Sequence, residues 1–495
     1  MPAPDSELLH EWLRRTAAQR PHAPAIEEDG RVTTFAELLR QAETLALEFM
    51  ACGLRPGDRV ALLLPKTTGA VVAVFASLLA GAAYVPIHPR WPQARMQAVL
   101  RDCAARLLVE EGRITDLQSG ALLGQAQPAG SPEVTAHWPR LDPAATAVVL
   151  FTSGSTGVPK GVVLSHRAVA AFVRWTAEEF QISARDRIAC PAPLGFDLST
   201  FDLFNMALAG ATAVLVPENI AWMPRFLAGL VGEAKITCWY SVPSILTAML
   251  EEGRFAASAY PHLRLILFAG EAFAPPALAR LMAAVPDARY INLYGPTETN
   301  VVTWFPVPSG FKQDDPLPIG LPCPYAETAV DPASGELLAG GASLMDGYWN
   351  RPEETAQAFA AIDGRRYYRT GDRVSVDGEG NYLFHGRLDR QIKRRGFRIE
   401  LGEIEAALLR HPQVSEAAAV AANDAAGATA IVAFVRLRVG ETLALAEMRA
   451  HCARLLAPYM LPDRFVFADI LVKGNRGKID YAALTRAAEG YVRGD

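Results

Sequence analysis

Residues 151–162 read "FTSGSTGVPKGV". Gly154, Gly157 and Gly161 sit among the hydroxyl side chains of Thr152, Ser153, Ser155 and Thr156, with Lys160 close behind. Glycine interrupts both helix and central strand. Backbone lacking Cβ atoms can turn several N–H groups toward one point and so bind an anion. The hydroxyls add donors and Lys160 adds positive charge, which is the chemistry of a phosphate cradle. A flexible surface loop is the plainer alternative. The run is not the P-loop of ordinary nucleotide hydrolases, which needs Ser or Thr directly after its Gly-Lys pair. Three further short stretches carry groups suited to the same chemistry: Glu298 in "YGPTE", Asp372 in "TGD" and Lys478 in "NRGKID". Taken singly, each has a bland reading: a solvated helix-start residue, a turn cap and a surface lysine.

These residues need elements to position them. From about residue 20 to 390, short β-rich runs ("RVALLLP", "TAVVLFTS", "TAVLVP", "LRLILFAG") alternate with helical stretches ("AVVAVFASLLAG", "FDLFNMALAG", "PALARLMAAV"). Such alternation implies parallel sheets covered by helices. From "DRQIKRRGFRIELGEIEAALLRHPQVSEAAAVA" onward the pattern becomes a basic strand, a helix and further strands, a compact α+β unit. The expected organisation is therefore an α/β core, residues 1–388, and a small α+β domain, residues 389–495.

Length permits more than one domain, and 51% apolar with 20% charged residues is the balance of a globular soluble chain. A net charge of −5 gives no reason to expect nucleic acid as a partner. Six scattered cysteines show no metal-binding spacing and point to reduced thiols in the cytoplasm. The N-terminus lacks a signal-peptide core. "GAVVAVFASLLAGAAYVPI" falls short of a membrane span and reads as a buried helix followed by a strand. No membrane partner is expected.

The phosphate-type loop is one of several blocks. "FDLSTFDLF" (196–204), "NLYGPTETN" (292–300), "YRTGDR" (368–373), "GRLDRQIKRRGFRIELGEIE" (386–405) and "GNRGKID" (474–480) follow it in order. With "TTFAELLRQAETLA" and "GAAYVPIHPRWPQARM", they resemble the signature blocks of the adenylate-forming superfamily. That superfamily includes the adenylation domains of nonribosomal peptide synthetases, acyl-CoA ligases and luciferases. The resemblance spans essentially the whole chain. It implies that a carboxylate attacks the α-phosphate of ATP, and that a thiol then displaces AMP.

The resemblance also implies roles. Thr152, Ser153, Gly154, Ser155, Thr156, Gly157 and Lys160 would hold the β- and γ-phosphates. Thr297 would contact the α-phosphate and Glu298 would help hold Mg²⁺. Tyr294 would stack on adenine, Asn292 would bond its edge, and Gly270 would border the nucleotide. Asp372 would accept the ribose hydroxyls, with Arg387 near ribose and phosphate. Lys478 would bridge the substrate carboxylate and the α-phosphate, and Asp389 would be the hinge. Two departures stand out: "ETAVDPASGELLAGG" is shorter than usual, and the last block lacks its usual proline. Ser343 in "GGASL" looks like a carrier-domain serine but is expected to be structural, and the enzyme is expected to be free-standing.

In amino-acid-activating members, an aspartate at the place of Asp197 pairs with the substrate's ammonium. The alternative is that Asp197 merely caps the following helix. Acyl-CoA or aryl-acid ligases, the alternative class, have no use for that charge. The implied pocket is Asp197, Leu198, Phe201, Tyr240, Leu267, Ala269, Leu293, Val301 and Val302, closed by Lys478. No other charge is expected to line it, so a charged substrate side chain would be rejected. The set resembles that of free-standing L-prolyl-AMP ligases, except that Phe201 stands where leucine is usual. A small uncharged L-amino acid follows, L-proline first and L-alanine second. The acceptor would be the phosphopantetheine thiol of a separate carrier protein, met by basic residues such as Arg394 and Arg395.

Overall fold

The computed structural model describes residues 7–124, 138–154, 158–218, 220–221, 223–252, 260–423, 429–473 and 479–493. The chain divides into two compact units. The second comprises residues 389–495 together with 90–101 and 152–160, and the rest forms the first.

Among the described residues, the first unit contains a nine-stranded and an eight-stranded sheet. The strands Arg187–Cys190, Thr212–Leu215, Cys238–Ser241, Leu265–Ala269 and Arg289–Tyr294 run parallel at the centre of the nine-stranded sheet. Antiparallel strands border it, Thr303–Val307 on one side and Arg31–Thr34 on the other. In the eight-stranded sheet Arg59–Leu63, Ala83–Pro86 and Leu107–Glu110 are parallel. The apolar run near residue 70 is the helix Thr68–Leu79, buried along nearly its whole length, followed by the strand Ala83–Pro86.

Alternation of strand and helix stops at Tyr294. Beyond it lies a five-stranded sheet that the strand–helix rhythm does not announce, paired antiparallel between residues 326 and 387. Its strands pair antiparallel, and the one helix among them is the short Pro352–Ala358, so one strand–helix rhythm for the whole of 20–390 is too simple. The shortened segment still pairs as a hairpin, Ala326–Val330 against Glu336–Gly341.

The second unit is built on two long antiparallel strands, Val414–Asn423 and Thr429–Leu437. Side chains alternate between faces along a strand. Ala417, Ala419, Ile431, Ala433 and Val435 accordingly join one core with the helices Leu401–Leu409 and Leu445–Leu455. Ala418, Val420, Ala422, Val432 and Phe434 join another with Leu484 and Ala488 of the helix Tyr481–Arg493. Burial on both faces explains why these strands read as nearly continuous apolar runs. Arg95, on the helix Gln93–Cys103, forms a buried ion pair with Glu403 inside this unit.

A candidate active site for carboxylate activation

One strand divides the candidate site. Along Arg289–Tyr294, Ile291 and Leu293 face the large core of the first unit, whereas Tyr290 faces a second core and Tyr294 a third. Leu293 pairs with Ala269, and Leu267 pairs with both Tyr240 and Ile291. Register and period thus place Tyr240, Leu267, Ala269 and Leu293 on one sheet face, where they share a core with Phe201 and Val301. Leu198 packs against that core at partial burial. Phe201 and Tyr240 meet edge to face, with ring centroids 5.4 Å apart and planes at 78°. Val302 departs from the expected set: it belongs to the cluster of Tyr294, Ile319, Leu337, Ala339 and Val374 instead. Val301 instead shares the core of Phe201 and Tyr240, so the two neighbours lie in different cores.

Asp197 precedes the helix Leu198–Ala209, which carries Phe201. Its carboxylate makes no capping bond, and its backbone is helical (φ −60°, ψ −26°) rather than extended. The capping alternative therefore falls. The hydroxyls of Ser199 and Thr200 bond the turn instead, donating to the carbonyls of Phe196 (2.6 Å) and Asp197 (2.6 Å). Burial pushes the Tyr240 phenol well above its ordinary value, and the carboxylates of Asp197 and Asp202 add to the shift.

On the other side of the dividing strand, Asn292 donates through its amide to the Pro318 carbonyl at 2.8 Å. The Tyr294 hydroxyl donates to Oδ2 of Asp372, and Arg387 donates to Oδ1 at 2.7 Å. Asp372 and Arg387 are direct partners across antiparallel strands. Asp372 is thus a buried carboxylate held at both oxygens, oriented by a charge-assisted bond. A carboxylate offers about four acceptor positions, so two such bonds leave it able to accept from a diol. Burial drives the Tyr294 phenol well above its usual range, and Asp372 reinforces this.

Between these groups runs the turn 295–300. A Cβ at Gly295 would lie 1.6 Å from the Asn300 carbonyl oxygen, so only glycine closes it. Glu298 is fully buried, contrary to a solvated helix start, and accepts from the Tyr348 hydroxyl at 2.7 Å. Thr297 is partly exposed beside it. Gly270 ends the strand Leu265–Ala269 with φ +90°.

In the second unit, Thr152 ends the strand Thr146–Thr152 and Lys160 begins Lys160–Ser165. The Ser153 hydroxyl donates to the Arg398 carbonyl at 2.8 Å and accepts from the Glu400 N–H at 3.2 Å. At Gly154 a Cβ would stand 1.9 Å from the Val158 carbonyl oxygen. Asp389 is exposed and accepts from the Gln391 N–H at 3.1 Å. Ser155, Thr156, Gly157 and Lys478 lie outside the described residues. Arg394 does not offer its charge outward as expected. It is bound to Asp463 and to the carbonyls of Tyr459 and Leu461, leaving Arg395 as the exposed basic residue. Ser343 is fully buried and so inaccessible to a carrier-type modification.

Sequence reading missed three participants. Tyr348 sits in "MDGYWN", to which no role was given. Lys66 and Asp202 are both buried and were given no task, although Asp202 lies in "FDLSTFDLF".

Two sheets with parallel centres, an antiparallel third sheet and a small α+β unit, with a buried carboxylate bonded at both oxygens and a glycine-closed turn, are the architecture of an adenylate-forming enzyme. The chain matches the AMP-binding enzyme family over residues 13–349 and the AMP-binding enzyme C-terminal domain over residues 403–478. It belongs to the AMP-binding enzyme family. An L-proline–[L-prolyl-carrier protein] ligase of Pseudomonas fluorescens is 36% identical, the match covering 98% of this chain and 100% of that one. A ligase of the same name from Streptomyces coelicolor is also 36% identical, with 95% of each chain covered. Among solved structures, the Vibrio cholerae adenylation domain AlmE, in complex with glycyl-adenosine-5′-phosphate, superposes with a TM-score of 0.82. It is 25% identical and 97% of each chain is covered. Among the described residues, no helix is long and apolar enough to cross a membrane.

Proposed function

We propose that this protein is a ligase that activates a small uncharged L-amino acid with ATP. L-proline is the first candidate and L-alanine the second. The aminoacyl-AMP then passes its acyl group to the phosphopantetheine thiol of a separate carrier protein. One observation carries the amino-acid reading: Asp197 stands at the head of the Phe201 helix without serving that helix as a cap. A carboxylate at the rim of an apolar pocket suits an α-ammonium. The ligases from Pseudomonas and Streptomyces named above support proline as the substrate.

In this reading the amino acid lies against Phe201, Tyr240, Leu267, Ala269, Leu293 and Val301, its ammonium on Asp197. Adenosine lies across the strand, with Tyr294 and Asn292 at the base and Asp372 and Arg387 at the ribose. Thr297 meets the α-phosphate, and the glycine-rich loop with Lys160 holds the others. Lys478 spans the carboxylate and α-phosphate, where a mobile charge offsets the negative charge gained in the transition state. Catalysis is mainly alignment and electrostatics.

The donor chemistry of the site fits Mg²⁺. Among the described residues there is no cluster of three metal-ligating side chains. The buried, oriented Glu298 carboxylate beside Thr297 matches an ion commonly held by one or two carboxylates and substrate phosphates. When bound, the ion supplies charge neutralisation on the phosphates. Asp389 is the hinge between an arrangement for adenylation and one for thiol transfer.

ATP–pyrophosphate exchange across amino, fatty and aryl acids tests the reading. Proline should exchange best, and Asp197→Asn should lower kcat/KM for it at least 100-fold while leaving the KM for ATP nearly unchanged. Exchange confined to acids lacking an α-amino group would overturn it.

A further inference from the structure

Val301 and Val302 are held in different ways. Val302 is fixed by backbone on both sides: its N–H donates to the Tyr294 carbonyl at 2.8 Å, and its carbonyl accepts from the Cys323 N–H at 2.8 Å. At Val301, side chains take that part. Its N–H donates to Oδ1 of Asn300 at 2.8 Å, and its carbonyl accepts from the Tyr325 hydroxyl at 2.6 Å. Val301 is 4% exposed, and buried backbone groups need partners. Asn300 and Tyr325 supply them.

Both holders are themselves anchored. Asn300 is buried in the left-handed region (φ +54°), which asparagine tolerates better than most residues. Its Nδ2 donates to the Thr200 hydroxyl at 3.4 Å, and that hydroxyl donates in turn to the Asp197 carbonyl. The Tyr325 carbonyl accepts from the Ala342 N–H at 2.9 Å, at the open end of the hairpin Ala326–Val330 against Glu336–Gly341. A Cβ at Gly341 would lie 2.3 Å from that same carbonyl oxygen, and its φ of +109° also requires glycine. The Tyr325 ring meets Trp175 edge to face, with centroids 5.7 Å apart. Trp175 meets Trp304 likewise at 5.6 Å, and Trp304 pairs with Leu293. Burial pushes the Tyr325 phenol well above its ordinary range, so it stays a donor.

We propose that Tyr325 and Asn300 are positioning residues for amino-acid specificity, which together set where the Val301 side chain stands in the acid pocket. Tyr325 fixes Val301 from the third sheet, and Asn300 fixes it from the turn that carries Glu298. This inference rests on the amino-acid reading above. It places part of the selectivity outside the residues that line the pocket, in two groups that act through Val301.

The test is pyrophosphate exchange on the full chain, with KM measured separately for ATP and for each small L-amino acid, alongside thermal midpoints. Tyr325→Phe keeps the ring and its contact with Trp175 and removes the donor. It should raise the KM of the best amino acid about five-fold, as one buried bond is lost, and move the ATP KM less than about two-fold. The kcat/KM ratio between the best and second-best amino acids should narrow about three-fold or more, because a loosened wall discriminates less. Asn300→Gly preserves the left-handed backbone, removes the other bond and should act in the same direction. The double variant should fall short of the product of the two single effects, because both act on Val301. If Asn300→Gly fails to fold, Tyr325→Phe decides, and an unchanged ratio there refutes the proposal. Equal rises in both KM values, or single effects that multiply in the double variant, also refute it. A wild-type chain that exchanges with no amino acid overturns the function reading instead.

Discussion

Phe201→Leu separates substrate fit from stability. Phe201 is fully buried against Tyr240, itself 2% exposed, in an edge-to-face pair. Losing such a pair costs about 0.5–1.5 kcal/mol beyond burial. Leucine and phenylalanine have similar transfer energies, so the other main cost is the vacated ring volume. Roughly 25 Å³ at about 24 cal/mol per Å³ adds about 0.6 kcal/mol. The sum, about 1–2 kcal/mol, should lower the thermal midpoint by only a few degrees in a chain of this size. The pocket gains what the core loses. Proline exceeds alanine by two carbons, and a methylene that fits such a pocket is worth about 1–3 kcal/mol. The proline-to-alanine ratio of kcat/KM in pyrophosphate exchange should therefore rise about 10-fold. A ratio unchanged within two-fold, or shifted toward alanine, would show that Phe201 does not set pocket length.

Tyr348→Phe removes a hydroxyl donor from the buried Glu298, a change on the order of 1–3 kcal/mol; the Mg²⁺ concentration giving half-maximal exchange should rise about 10-fold with the amino-acid KM unmoved. His10 and His166 form a buried pair with ring centroids 5.6 Å apart, and Nδ1 of His166 accepts the Leu9 N–H at 3.2 Å. Burial holds His166 down at about 4 and His10 well below 6.5. The folded state therefore binds fewer protons than the unfolded one, so this stability is complete above about pH 6.5. Below it, about 1.4 kcal/mol per pH unit is lost for each histidine, down to the folded pKa. Urea midpoints between pH 4.5 and 7 should show the decline, and His166→Gln should flatten it. Asp389→Pro should slow one half-reaction, adenylation or carrier loading, at least 10-fold more than the other when each is assayed alone; equal losses would remove Asp389 as the hinge.

The family and the fold were readable because the blocks occur together and in order, although each alone has a bland reading. Strand–helix alternation marks the parallel sheets. Contacts made across sequence distance were not readable. Nothing in "LLLPKTTG" shows that Lys66 reaches carbonyls more than a hundred residues away. Val301 and Val302 look interchangeable until the fold assigns them to different cores. Arg394 looked like a surface charge because sequence records charge and not the carbonyls that absorb it. The antiparallel sheet after Tyr294 was obscured because its strands are partly exposed and lack the long apolar runs of the parallel core.

The strand Arg289–Tyr294 lets one segment answer to two selective pressures. In the proposed site, Leu293 belongs to the acid being activated, and Asn292 and Tyr294 to the nucleotide. Drift at Leu293 would then retune the acid without disturbing Asn292 or Tyr294. An insertion of a single residue would exchange the two faces and spoil both at once. Such a segment tolerates substitution and forbids insertion or deletion. A lineage of these enzymes should therefore diversify its substrates by point changes here, while the length between Ala288 and Gly295 stays constant.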